Sequence, residues 1–124
     1  MLKNLLFVAA GGAVGSVLRY LIGSHLHKTY PGFYPYGTFT VNILGCLLIG
    51  LLMGWVHAER LMSEKLQLLL ITGFCGSFTT FSTFAFEANA LTLQQKPLQA
   101  LLYIALSVVV GLALAYLGYR LAKG

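Results

Sequence analysis

Four long apolar blocks follow one another along the chain, separated by short polar stretches. They cover residues 5–23, with Arg19 as an interruption, residues 37–56, residues 66–86 continuing to about 94, and residues 97–119. A bilayer core about 30 Å thick needs roughly 20 apolar residues of helix to cross it. The pattern therefore predicts an all-α membrane protein, a single transmembrane domain over 1–124 with four transmembrane helices. The blocks and their connections use up the chain and leave no room for a soluble domain.

The third block breaks the pattern. LQLLLITGFCGSFTTFSTFAFE combines Gly73 and Gly76 with Ser77, Thr79, Thr80, Ser82 and Thr83, and sets Phe78, Phe81, Phe84 and Phe86 among them. Hydroxyl side chains compete for backbone hydrogen bonds, and glycine has the greatest backbone freedom. These residues predict a break around Cys75 to Thr80, against the alternative of a continuous helix whose hydroxyls bond back to their own carbonyls. Irregular backbone at membrane depth is tolerated only when buried in protein or lining a polar cavity, where freed carbonyl oxygens can bind a cation. In a helix resuming after the break, Thr80, Phe84 and Glu87 would share a face, with Phe81 close to Phe84. Phenyl ring edges are weakly positive and offer an anion potential without a full charge. Packing between helices is the plainer use of such a pair.

Small residues recur at intervals of four: Gly11 and Gly15; Cys46, Gly50 and Gly54; Ser107, Gly111 and Ala115. In lipid, helices associate through the close backbone approach that such stripes permit. Packing within one bundle explains them, and so does self-association. The opening MLKNLLFVAAGGA has some features of a secretory signal, but its glycines read better as a helix-packing face.

Polar residues inside the other blocks narrow the chemistry. Asn42 lies mid-span, with Thr38 one turn before it, and burying its amide unpartnered costs several kcal/mol, roughly the water-to-hydrocarbon figure. Its partner is either another helix's backbone or a permeating ion with its water. Tyr103 and Ser107, four apart, make a comparable face in the fourth block. Arg19, toward the end of the first block, either holds a vestibule positive or snorkels to the headgroups.

Composition and charge agree with the membrane setting. Of the 124 residues 58% are hydrophobic and 9% charged, and eight Lys and Arg face three glutamates for a net charge of +5. The basic residues stand singly between apolar blocks, as loop charges do, and form no nucleic-acid face. If both ends share one side, that side holds Lys3, Arg60, Lys65, Arg120 and Lys123 against Arg19, Lys28 and Lys96. Five against three is a weak orienting bias, compatible with single-orientation insertion or with insertion both ways and antiparallel pairing. SHLHKTYPGFYPYG, with Tyr30, Phe33, Tyr34 and Tyr36, reads as an interfacial loop. Cys46 and Cys75 fall inside spans as small packing residues, and no Cys, His, Asp and Glu spacing resembles a zinc or iron site.

Three stretches together, GGAVGSVLRY at Gly11 to Tyr20, GTFTVNILGCLLIG at Gly37 to Gly50 and TGFCGSFTTFSTF at Thr72 to Phe84, resemble the Fluc, or CrcB, family of fluoride channels. The resemblance covers nearly the whole chain, and its third motif is highly specific. It implies a non-enzymatic, fluoride-selective channel in the bacterial inner membrane, exporting fluoride passively to relieve its toxicity. It further implies a dual-topology antiparallel homodimer with two pathways. By the same resemblance Phe81 and Phe84 present ring edges to fluoride and Asn42 donates from its amide. Thr38, Ser82, Thr83, Tyr103 and Ser107 contribute to a polar track, and Arg19 lines a vestibule. The carbonyl oxygens of Gly76 and Thr79 would hold a structural sodium ion at the dimer centre. Fluoride gives up a large hydration energy on leaving water, so a pore for it must supply many modest donors rather than one strong site. Two other classes compete. A small proton-coupled multidrug-type exporter wants a titratable carboxylate deep in the first span, where there is none, and would have to use Glu87. A purely structural subunit leaves the polar third span unexplained.

Overall fold

The computed structural model describes residues 1–29, 35–58 and 62–124. The interfacial reading of Tyr30, Phe33 and Tyr34, and the placement of Arg60, fall outside these residues. Helices α1 (Leu2–Thr29) and α2 (Tyr36–His57) form the first two spans. The third, Glu64–Leu93, is assembled from pieces: α3 (Glu64–Gln67), a π-helical stretch (Leu68–Cys75), α4 (Gly76–Phe78) and α5 (Ser82–Leu93). Helix α6 (Pro97–Lys123) is the fourth. All four are long and apolar enough to cross a membrane, which makes this a multi-pass membrane protein.

Helix ends follow local chemistry more than hydropathy does. Ser63 opens the third span by accepting the backbone N–H of Leu66 at 3.1 Å, with Glu64 in the positive first turn. Pro97 begins α6, where a missing N–H costs nothing, and Arg120 and Lys123 close it at the negative end. Helix α1 runs past the apolar block to Thr29, because Ser24, His25, His27 and Lys28 are polar without being helix breakers. Arg19 is therefore well inside a helix rather than near its end.

The small-residue stripes face one another within one copy. Gly50 lies against Ala115, Gly54 against Tyr119, Gly118 against Leu47, and the Cys46 sulfur beside Gly111, so α2 and α6 pack along their lengths. The ends are joined by His57 Nδ1 and the Tyr119 hydroxyl at 3.0 Å. On the other side, Gly11 and Gly15 of α1 are buried against the π-helical stretch and α4; a Cβ on Gly15 would meet the Phe74 carbonyl oxygen at 2.5 Å. Phe74 and Phe78 stack there at 5.5 Å. Past the break the third span changes neighbours, and α5 packs on α6 through Ala88, Leu91, Ala100 and Tyr103, with Phe39 and Phe84 against them.

Candidate functional site

The break falls at Thr79–Phe81, at the C-terminal edge of the range expected from sequence and one residue beyond it. Thr79 is extended, at φ −87° and ψ 158°, and helix resumes at Ser82. Thr80 thus lies in the break itself rather than on a helical face with Phe84 and Glu87. Its hydroxyl instead accepts the N–H of Thr83 at 3.2 Å.

Asn42 holds the break open. Its Nδ2 donates to the Thr80 carbonyl at 3.0 Å, and its Oδ1 accepts the Thr80 N–H at 2.8 Å. One side-chain amide thereby satisfies both polar groups of a residue that belongs to neither helix. Of the two partners open to Asn42, the structure supplies another span's backbone. Arg19 secures the N-terminal flank, its Nε donating to the Ser77 carbonyl at 3.0 Å. Helix α1 thereby carries Arg19 beside the break.

These bonds leave specific oxygens without helical donors. The Gly76 carbonyl would be served by the N–H of Thr80, which goes to Asn42; the Thr79 carbonyl would be served by that of Thr83, which goes to the Thr80 hydroxyl. The neighbouring carbonyls are differently placed, Ser77 paired with Arg19 and Cys75 accepting both the amide and the hydroxyl of Thr79, at 3.1 and 2.9 Å. The diversion thus leaves the Gly76 and Thr79 carbonyls without their usual helical donors.

Around the break most of the remaining candidates line one of two cavities, while Tyr103 lines a third. Asn42, Gly76, Thr79, Phe81, Phe84 and Ser107 line a cavity of about 450 Å³. Arg19, Thr38 and Thr83 line another, of about 320 Å³, and Thr80 borders both. The Phe81 and Phe84 ring centroids are 5.9 Å apart, and Phe84 lies 5.0 Å from Tyr103. Ser82 stands exposed, 3.5 Å from the Thr80 hydroxyl. Thr38 donates to the Glu87 carboxylate. The hydroxyls of Tyr103 and Ser107 are buried with no hydrogen-bond partner of normal geometry among the described residues, Tyr103 lying close to Thr38 and Glu87. Each such orphan costs about 1–3 kcal/mol.

In a single copy the break opens at the surface. Phe81 is 79% exposed, and Gly76 is exposed beside it. Thr80, Ser77 and Glu87 are structural partners that the sequence-based site left out. The only signal for the first two was their place inside the polar motif.

The chain matches the family described as CrcB-like protein, Camphor Resistance (CrcB), over residues 6–119. It is 44% identical, over 98% of both chains, to the fluoride-specific ion channel FluC of Flavobacterium psychrophilum. Its identity to that of Chlorobaculum tepidum is 46%, over 99% of this chain and 97% of the relative. For that of Oceanobacillus iheyensis the figure is 45%, over 98% and 92%.

Proposed function

The chain belongs to the CrcB-like family, a family of ion channels and not enzymes, and from that membership we propose that it is a passive, fluoride-selective channel of the bacterial inner membrane. The observation that carries this reading is identity of 44–46% along nearly the whole chain with relatives named fluoride-specific ion channels. The site supports it with chemistry suited to a small hydrated anion. Orphaned hydroxyls at Tyr103 and Ser107 and ring edges at Phe81 and Phe84 are weak donors spaced along a path, as passage without trapping requires. Arg19 adds positive potential to the cavity it lines with Thr38 and Thr83. One N–H of the Asn42 amide remains beyond its bond to Thr80 and is available to the ion.

We further propose that the working unit is an antiparallel pair of chains with two pathways. Backbone carbonyls stripped of their donors cannot face hydrocarbon, yet in one copy Gly76 and Phe81 are exposed. A second copy laid across the break would cover them. Carbonyls of Gly76 and Thr79 from both copies then fit a sodium ion at the crossing, which would raise the potential felt by both pathways.

Fluoride efflux from liposomes holding the purified protein tests the channel reading. Fluoride flux well above chloride flux is expected, and no fluoride flux, or equal flux of both, overturns it. Phe81→Ile and Phe84→Ile should each cut flux sharply while the protein still assembles; wild-type flux in both removes the ring edges from the mechanism. Glu87→Gln separates the channel from a proton-coupled exporter. Fluoride conduction is expected to persist without dependence on a proton gradient, whereas abolished transport of an organic cation would favour the exporter.

A further inference from the structure

At the membrane boundary opposite the chain termini, between the start of α2, the end of α5 and the start of α6, lies a groove of about 680 Å³ that shares Tyr103 with the ion path proposed above and is otherwise lined by residues outside it. Its volume is that of an ordinary ligand pocket. Its walls are apolar: Phe39 on one side, Leu91 behind, Leu102 and Leu106 in front, the last two 51% and 52% exposed. Its rim is polar and basic, with Lys96 and the amides of Gln94 and Gln99. That rim stands in the connection between two membrane spans, Leu93 ending one and Pro97 beginning the next, so it sits at headgroup depth.

We propose that this groove binds one anionic phospholipid, an acyl chain lying along Leu91, Leu102 and Leu106 and the phosphate at Lys96. Charge selects this occupant. Among the described carboxylates, Glu64 opens the third span at the opposite boundary and Glu87 is bonded to Thr38, leaving Lys96 without an acidic neighbour. A second copy of this chain, with eight basic and three acidic residues, matches Lys96 poorly, whereas an anionic headgroup matches it directly. The amides of Gln94 and Gln99 add donors to a phosphate oxygen. An apolar groove capped by a cation and two amides has the polarity sequence of a phospholipid read from tail to head. The proposal is independent of which ion the protein conducts.

Native mass spectrometry of the full-length protein in detergent tests it, titrating phosphatidylglycerol against phosphatidylcholine of the same chains. Wild-type protein is expected to retain phosphatidylglycerol about fivefold more tightly, the effect of one lysine near an anionic lipid. Lys96→Gln should abolish that preference while keeping the weaker adduct, and Lys96→Arg should restore it. Leu102→Trp, which fills the groove, should weaken both adducts, with circular dichroism confirming a folded chain. No headgroup preference in the wild type, or a preference unchanged in both Lys96→Gln and Leu102→Trp, overturns the proposal. So does loss of the oligomer in Leu102→Trp with lipid adducts intact, which would give the groove to a second copy.

Discussion

The two halves of the third span both carry phenylalanines and hydroxyl residues, yet they meet different neighbours. Before the break, Phe78 is 5% exposed and stacks on Phe74, and the π-helical stretch is clamped against the glycine face of α1. At the end of the break Phe81 is 79% exposed, and after it Phe84 lies against Tyr103. What differs is the neighbour. Glycines at 11 and 15 let backbone touch backbone, which leaves no space for water or an ion; α5 meets α6 through larger side chains, and unpaired hydroxyls lie between them. The half before the break packs on α1 while lending Ile71, Cys75 and Gly76 to the cavity that Phe81, Phe84 and Ser107 also line, the half after it packs on α6, and the change of neighbour falls at Thr79–Phe81.

The sharpest way to break that division is to push the earlier half off α1. In Gly15→Val the side chain meets the Phe74 carbonyl, a backbone atom that cannot move aside, so little assembled protein is expected by size-exclusion chromatography. Next comes the joint. Asn42→Leu orphans the N–H and carbonyl of Thr80, a loss of about 1–3 kcal/mol per group; a lower unfolding midpoint and fluoride flux reduced about tenfold or more are expected in liposomes. The smallest stability change is expected on the path side, with opposite sign for stability and function. Tyr103→Phe and Ser107→Ala delete hydroxyls that complete no hydrogen bond among the described residues, so thermal stability should hold or rise by about 1 kcal/mol while flux falls. A loss of stability in both variants would mean those hydroxyls serve packing, and the division between the halves would fail.

Much of this was legible in the residues. Four apolar blocks gave four spans, because hydrocarbon thickness sets a length that hydropathy reports directly. The clustering of Gly, Ser and Thr between Thr72 and Thr83 located the break, since those are the residues that weaken helical pairing. The π-helical stretch was not legible: Leu68, Leu69, Leu70 and Ile71 are ordinary helix formers, and the widened turn emerges only where the stretch packs against α1. Nor was the role of Arg19. Hydropathy ended the first span at Gly23, whereas the helix ends where pairing ends, six residues later. Asn42 was known to need a partner but not which, because a side-chain amide pairs equally well with water, an ion or a backbone; only the position of Thr80 decides.

That pairing has a consequence for the conditions under which the protein works. Asn42 meets Thr80 with one donor and one acceptor, a match a carboxylate could make only by holding a proton. An amide neither gains nor loses a proton across the pH range of a living cell. The joint between the two halves of the third span is therefore set the same way whether the pH on either face of an energised membrane is acidic or alkaline.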